Sequence, residues 1–260
     1  MYLGTALWTA ASLPSNLGTM SAPSPMRERE SPVFDLGLAP YEEVQGLQGR
    51  LRRAIAEGTL SAGGVLLLLE HPPVITLGSR GGEQDLRRPR EVLADSGVQV
   101  LDSERGGQTT LHAPGQLISY PIMPIPRRDL RALVSGLEQV LIEVLARYGV
   151  RALRREGRPG LYAEGRKIAS VGLRCERWIA SHGTSLNVDP NLRLFDDIVS
   201  CGEAELRQTS IAELTGTAPE MAALKRRYRF EFGEVFDRPL ATIRRVGWSE
   251  VEAELGLDRS

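Results

Sequence analysis

The chain reads as an α+β protein, and three observations point there. Two long amphipathic helical patterns stand apart in the first 150 residues, at 41–55 and from Asp129 to Tyr148. Strand-like runs cluster instead of alternating strictly with helices, with three in close succession over 160–188. No G-x-G-x-x-G follows the first strand and no G-x-x-x-x-G-K-[ST] occurs, so the dinucleotide and P-loop forms of a doubly wound sheet lack their motifs.

Element by element, "PVFDLG" (32–37) reads as a first strand. Tyr41, Val44, Leu47, Leu51 and Ile55 then recur at steps of three and four, which predicts a helix. "GGVLLLLE" (63–70) is a continuous apolar run of strand length, suited to a strand buried on both faces. Pro72 and Pro73 forbid a helix after it and leave "VITL" as a short extended piece. "PREVLADSG" (89–97) predicts a short helix with Pro89 at its start, followed by the strand "VQVL". "DSERGGQTTLHAPGQ" (102–116) reads as a polar loop and "LISYPI" as the next strand. The longest helix starts at Asp129 and ends near Gly149. The strands "GLYAEG", "KIASVGLRC" and "WIASHGTSLNV" follow. Thr209 or Ser210 would cap a short helix, and "APEMAALKRRYRFEFGEVF" reads as a terminal one.

Composition narrows the function classes. A net charge of −1 gives no global field toward nucleic acid, so attraction to a charged partner must be local. No window of 18 apolar residues exists, so no spanning helix is expected. Two cysteines are too few for a disulfide framework, and a reducing, cytoplasmic setting is expected. Three histidines and two cysteines at scattered spacings lack the pattern of a structural zinc site. Residues 1–32 begin without a basic region and carry no arginine before Arg27. They read as a flexible extension or a non-native start, leaving 33–260 as a single domain.

Lysine is the informative residue. Of 32 basic side chains only Lys167 and Lys225 are lysine. An amine can give up a proton where a guanidinium cannot, so Lys167 in "GRKIASVGLR" is a candidate proton carrier as well as an ordinary strand residue. Cys201, in "FDDIVSCGEAE", is either a small apolar residue or a nucleophile, and a neighbouring amine would help form its thiolate. His112 and His182 are either ring-anchored by hydrogen bonds or donors lining a pocket, and His71 suits a loop anchor. "SRGG" (79–82) and "ERGG" (104–107) read as surface turns or as paired loops supplying amide donors to a pocket.

Six segments in order, "HPPVITLG", "RGGQTTLHAPGQLISYPI", "GRKIASVGLR", "SHGTSLNV", "FDDIVSCG" and "TSIAEL", resemble the octanoyl-acyl-carrier-protein:protein N-octanoyltransferases of lipoate biosynthesis over roughly residues 33–232. The resemblance implies a biotin/lipoate-protein-ligase-type fold, a large mixed sheet with flanking helices and a smaller sheet region. It implies octanoyl transfer from octanoyl-acyl carrier protein to the lipoyl-domain lysine of lipoate-dependent enzymes, through a thioester on Cys201 with Lys167 as its partner. It also implies a substrate site of Arg105, Gly106, Gly107, Thr110, His112, Gly115, Gln116, Ser170, Val171, Gly172, His182, Gly183, Leu186 and Asn187. Backbone N–H groups near Gly202 or Ile168 would stabilise the oxyanion. Ala113, Ser200 and the pair Thr184–Ser185 depart from the family's usual glycine, proline and more apolar pair.

The implied partners are octanoyl-acyl carrier protein and the lipoyl domains of 2-oxoacid dehydrogenase subunits and the glycine-cleavage H protein. No nucleic acid, membrane, metal or organic cofactor is implied, because the thioester already carries the activation; the chain is expected to be a monomer. The alternative is a fold-related lipoate or octanoate ligase or amidotransferase with another acyl donor. Carrier proteins are strongly acidic, so docking requires a local basic patch. The runs Arg87, Arg88, Arg90 and Arg127, Arg128, Arg131 are the candidates.

Overall fold

The computed structural model describes residues 30–60, 63–203 and 205–257, with the side chain of Cys201 outside the described groups. The expected extension therefore lies, through residue 29, outside the described residues. Ser31 and Pro32 belong to the first strand and not to that extension.

The strands are β1 (Ser31–Leu38), β2 (Val65–Glu70), β3 (Val74–Leu77), β4 (Gln99–Asp102), β5 (Thr110–His112), β6 (Gln116–Pro124), β7 (Leu153–Arg155), β8 (Arg158–Ala163), β9 (Arg166–Glu176), β10 (Ile179–Asn187) and β11 (Leu240–Arg245). The helices are α1 (Tyr41–Glu57), α2 (Arg90–Asp95), α3 (Leu130–Arg147), α4 (Ile211–Thr215), α5 (Met221–Phe236) and α6 (Val251–Glu254). Among the described residues the strands form an eight-stranded sheet, β11-β1-β2-β6-β10-β9-β8-β7, and a three-stranded sheet, β4-β3-β5. The large sheet is mixed: β11, β1 and β2 run parallel, and each later neighbour is antiparallel. The α+β expectation holds, with a large mixed sheet, flanking helices and a smaller sheet.

The apolar run of β2 explains how the layers assemble. Successive strand side chains point to opposite faces. Leu66 and Leu68 accordingly join the core beneath α3 and α5, while Val65, Leu67 and Leu69 join the core beneath α1. A strand covered on both faces must be apolar throughout, which is why its sequence does not alternate. A third, smaller core of Ile75, Leu77, Leu93 and Leu111 sits under the small sheet.

Local signals account for the helix ends. The Asp129 side chain accepts from Ala132 N at the start of α3, and the Ser210 side chain accepts from Glu213 N at the start of α4. Gly58 closes α1 at φ 75°, a left-handed conformation that glycine adopts without Cβ strain.

Four elements differ from the sequence reading. β5 lies inside the segment expected to be a loop; with three residues, all buried, it has no readable period. β7 is a short exposed edge strand. The helix expected to be terminal is followed by β11 and α6, and β11 is an arginine-bearing edge strand without clean alternation.

Lys225 shows where one of the two lysines went. It is 3% exposed on α5, and its Nζ donates to Asp35 Oδ1 of β1 at 2.6 Å. Asp35 also accepts from Gly37 N and from Arg245. The pair ties α5 to the parallel edge of the sheet. Lys225→Met should destabilise the fold by about 3–5 kcal/mol, because it leaves a buried carboxylate without its main counter-charge. Urea unfolding of the two proteins checks this; a difference under about 1 kcal/mol would mean that Arg245 suffices.

Candidate active site

A cavity of about 610 Å³ lies where β9 and β10 meet the loops of the small sheet and the N-terminal turns of α3. The turn between β3 and the first 3₁₀ segment and the loop before β5 form one wall together. Ser79 N donates to Arg105 O and Arg80 N to Gly107 O, both at 3.0 Å. A Cβ on Gly78 would stand 2.5 Å from Gly107 O, so glycine is required for that approach. The two "RGG" loops do border a pocket as a pair, but the Ser79 and Arg80 amides are used between the loops and are not offered to a ligand.

Arg105 is buried and clamps this wall. Its guanidinium donates to Thr76 O (2.6 Å), Thr76 Oγ1 (2.8 Å) and Gln108 O (2.7 Å). Gly106 N donates to Leu173 O at 2.8 Å and fastens the wall to β9. Arg105 thus shapes the cavity through its own backbone partners.

Lys167 owes its position to an irregularity in β9. Tyr162 pairs with Lys167 and Leu161 with Ala169, so β9 advances two residues against one on β8. Such a bulge re-aims a side chain. Lys167 consequently shares the cavity with Ser170 and Gly172, while Ile168 and Ala169 enter the core beneath α3. The amine is 3.2 Å from Pro159 O and 5.4 Å from the Tyr162 ring centre, and the residue is 3% exposed. Gly160, at φ 117°, makes the space: a Cβ there would lie 2.4 Å from Ala169 O and 3.1 Å from Lys167 Cε.

The segment bearing Cys201 is brought to the same place by backbone pairing. Lys167 N donates to Arg207 O and Thr209 N to Lys167 O, each at 2.8 Å. Cys201 falls in a 3₁₀ turn, Ser200–Gly202, and its thiol lies outside the described groups. Around it, buried Ser200 accepts from Gln208 Nε2 through its hydroxyl, which gives the serine at the family's proline position a structural use. A Cβ on Gly202 would collide with the Gln108 side chain of the cavity wall, 2.3 Å away. Glu203 lines the cavity and pairs with Arg158. Gly202 N is directed to Val199 O, so the expected oxyanion donor there is engaged within its own turn. The other cysteine, Cys175, is exposed near the end of β9 and is not on the cavity.

Of the residues expected to bind substrate, Arg105, Gly106, Gly107, Thr110, His112, Ser170, Val171, Gly172, His182 and Gly183 line the cavity with Lys167. Gly115, Gln116, Leu186 and Asn187 do not. Gln116 Nε2 donates to Asn187 Oδ1 at 2.8 Å, and Asn187 Nδ2 donates to Thr209 O at 2.9 Å. These amides carry the start of β6 and the end of β10 to the strip that pairs with Lys167. Gly115 at φ 87° packs against Asp189 O, and Leu186 is core. They are supports and not lining.

The three histidines, far apart in sequence, converge with Tyr41 and Tyr120; His71 and His112 are 5.7 Å apart, and His182 and Tyr120 5.9 Å. His71 Nδ1 donates to Ala39 O, which leaves Nε2 to accept from Tyr120 O–H, so the loop-anchor reading fits. Burial lowers the His71 pKa to about 4 and, with nearby Arg105, the His182 pKa to about 3; His112 is lowered well below its usual value. His182 stands at φ 57°, opposite Pro121, which has no N–H to offer; its own N–H goes to Gln48 Oε1 at 2.6 Å. His112 Nδ1, His182 Nδ1 and Tyr162 O–H are buried without a hydrogen-bond partner among the described residues, and all three residues line the cavity. Buried polar atoms in this state fit a site that receives polar ligand atoms or water.

Tyr120, Tyr162, Leu130 and Val134 were not singled out from the sequence. Leu130 and Val134 carry the i, i+4 spacing that does signal a shared helix face. No group of His, Cys, Asp and Glu able to hold a metal occurs among the described residues, and no described helix is long and apolar enough to cross a membrane.

The class defined by this fold and cavity is the lipoyl protein ligase A/B catalytic domain, whose family model matches residues 40–233. Lipoate-protein ligase A, in a crystal structure with ATP bound, shares the fold with a TM-score of 0.68 at 14% identity, over 87% of this chain and 94% of that one. An octanoyltransferase of Nitratidesulfovibrio vulgaris (strain DSM 19637 / Miyazaki F) is 43% identical over 207 residues, 78% of this chain and 94% of that protein. One from Chloroflexus aggregans (strain MD-66 / DSM 9485) is 40% identical over 214 residues, 80% and 96% respectively. The chain belongs to the octanoyltransferase family and is an acyltransferase.

Two outcomes test the site's construction. Gly160→Ala, forced into positive φ against Ala169 O, should cost about 1–3 kcal/mol of stability. It should lower acyl transfer further than the unfolded fraction explains, as urea titration and rate measurement on one sample will tell. The histidines have folded pKa values below the unfolded 6.5, so acid protonates the unfolded chain first. Above pH 6.5 they have no effect; as pH falls toward 4 each removes about 1.4 kcal/mol per pH unit. Imidazole NMR shifts should stay at their neutral values down to pH 5, and a midpoint near 6.5 would contradict the burial of that ring.

Proposed function

We propose that this acyltransferase moves the octanoyl group from octanoyl-acyl carrier protein to the lysine of a lipoyl domain through a thioester on Cys201, with Lys167 carrying the protons. The observation that supports it most is the pairing of residues 207–209 with Lys167, which brings the segment that follows the Cys201 turn to the strand carrying the cavity-lining Lys167. In the first half-reaction the Cys201 thiolate adds to the donor's carbonyl carbon. Lys167, having taken the thiol proton, returns it to the departing carrier thiolate. In the second, the acceptor amine adds to the Cys201 thioester, Lys167 takes its proton, and Cys201 leaves and is reprotonated. Thioester and amine become thiol and amide with no cofactor in the balance.

The lining suits such a substrate. Val134, Val171 and Leu173 offer apolar surface to an alkyl chain, and each CH₂ removed from water contributes about 0.8 kcal/mol before ordering costs. Thr184 and Ser185, which depart from the family's more apolar pair, also line the cavity and leave this wall more polar. Lipoyl domains of 2-oxoacid dehydrogenase subunits and the glycine-cleavage H protein are the acceptors in this reading. The protein would act as a cytoplasmic monomer with residues 33–260 as its single catalytic domain.

Intact mass measurement after exposure to octanoyl-acyl carrier protein should show one octanoyl adduct, lost on addition of an unmodified lipoyl domain. Cys201→Ser should show none, and an adduct on Cys175 would sink the assignment. Lys167→Arg keeps the charge but cannot surrender a proton, so both half-reactions should slow by roughly 10²–10⁴-fold. Near-normal turnover of a folded Lys167→Arg protein would remove the lysine from the chemistry.

A further inference from the structure

The two partners of this reaction reach the cavity by arms of very different length. A lysine acceptor has only a four-carbon stem, so its domain must sit directly over the reacting atoms. A carrier delivers its acyl group on a flexible phosphopantetheine arm several times longer, so it can dock at a distance. The cavity runs along β9 from Lys167 to Leu173, six residues or about 20 Å at strand rise. Leu130, 37% exposed at the start of α3, is part of its rim, and the segment just before α3 is fastened to the β9–β10 hairpin end of that strand pair.

A basic surface adjoins Leu130. Arg127, Arg128 and Arg131 are exposed and make no ion pair among the described residues. The other arginine run is otherwise occupied: Arg88 pairs with Asp197 and donates to Ser96, and Arg90 pairs with Glu83 and donates to Val100 O. Arg88 and Arg90 are absent from the cavity lining.

The tip of the β9–β10 hairpin extends the free patch. Trp178 is 43% exposed, and its carbonyl accepts from Ile125 N at 2.8 Å, which fastens the tip to the segment carrying Arg127 and Arg128. Neighbouring Arg177 is exposed too. The one acid within the run, Asp129, is occupied in capping α3. Four of these residues, Arg127, Arg128, Arg177 and Trp178, hold left-handed φ between 51° and 60°. Each such non-glycine conformation is strained by roughly 1–2 kcal/mol. Two strained turns fastened side by side, presenting arginine and tryptophan to solvent, form a display surface of the kind where strain accompanies binding.

We infer that Arg127, Arg128, Arg131 and Trp178 form the docking surface for the acidic carrier domain of the acyl donor, separate from the place where the lysine-bearing acceptor sits. This rests on the acyl-transfer reading above and adds the location of the donor. Arginine and tryptophan are the side chains that most often carry interface energy, and the unpaired guanidinium groups complement an acidic partner.

The test compares the wild type with Arg127→Glu/Arg128→Glu/Arg131→Glu and with Trp178→Ala. A second triple, Arg127→Asn/Arg128→Asn/Arg131→Gln, removes charge while keeping a residue that tolerates left-handed φ. Three rates are read: acylation by octanoyl-acyl carrier protein, acylation by octanoyl-pantetheine, which lacks the acidic domain, and transfer from pre-acylated enzyme to a lipoyl domain. The carrier KM should rise at least tenfold in the charge-reversed protein at low salt and by less at high salt. The other two rates should stay within twofold. An unchanged carrier KM in both triples overturns the proposal, as does a defect shared by octanoyl-pantetheine. A defect confined to the lipoyl-domain step overturns it in favour of an acceptor surface. Failure of the wild type to accept acyl groups from the carrier would overturn the reaction reading itself, a result these comparisons keep distinct.

Discussion

One extra residue in β9 organises the site. Without the two-for-one step against β8, strict alternation would put Lys167 on the face of Ala169, Val171 and Leu173, the side chains that pack against the core beneath α3. The bulge sends Ile168 and Ala169 inward together and leaves Lys167 on the cavity. Much of the surrounding structure serves that step. Gly160 leaves the space, the Glu138 carboxylate accepts from Gly160 N to hold the start of β8, and Arg154 secures Glu138 from the other side. On the opposite edge the amides of Gln116 and Asn187 hold Thr209, whose N–H meets the Lys167 carbonyl. A buried polar chain of this kind stabilises only when each member is satisfied, so it ties the start of β6, the end of β10 and the strip after Cys201 into one unit.

The division of labour between lysine and arginine has a similar physical basis. Both lysines are 3% exposed, one against Asp35 and one on the cavity, whereas arginine takes the exposed ion pairs and the rim. A lysine is a compact charge that a single carboxylate or carbonyl can hold, while a guanidinium needs several acceptors. The one deeply buried arginine on the cavity, Arg105, meets that need with the threonine and backbone oxygens of two loops. The Lys167 amine meets Pro159 O and the face of the Tyr162 ring, contacts that a compact ammonium group can make.

The cavity is also less apolar than an alkyl substrate alone would require. Three neutral histidines and two tyrosines are packed close enough that protonating one would oppose its neighbours and Arg105. Keeping them neutral preserves hydrogen-bonding capacity without adding a fixed charge to the cavity. The orphaned nitrogens of His112 and His182 therefore belong with the substrate side of the site, while His71, bonded at both nitrogens, belongs with the scaffold.

The sequence by itself determined the α+β class, the doubly buried β2, the helices α1 and α3, the Asp129 start of α3 and a Thr209 or Ser210 cap for α4, and the order of segments that marks the family. These are local matters of period, turn chemistry and residue type, and they are legible because each acts within a few residues. The tertiary structure alone decided which of the expected binding residues line the cavity. Gln116 and Asn187 look like ligand-binding amides in sequence, yet they are used on each other across 71 positions. Three-residue β5 and the edge strands β7 and β11 were not legible because such short elements are held by their neighbours and not by their own pattern. Nor could spacing show that three scattered histidines meet, or that Arg127 has no ion pair among the described residues while Arg88 is paired. Those outcomes depend on register and on which loops touch, and long-range pairing leaves no mark in the period of a sequence.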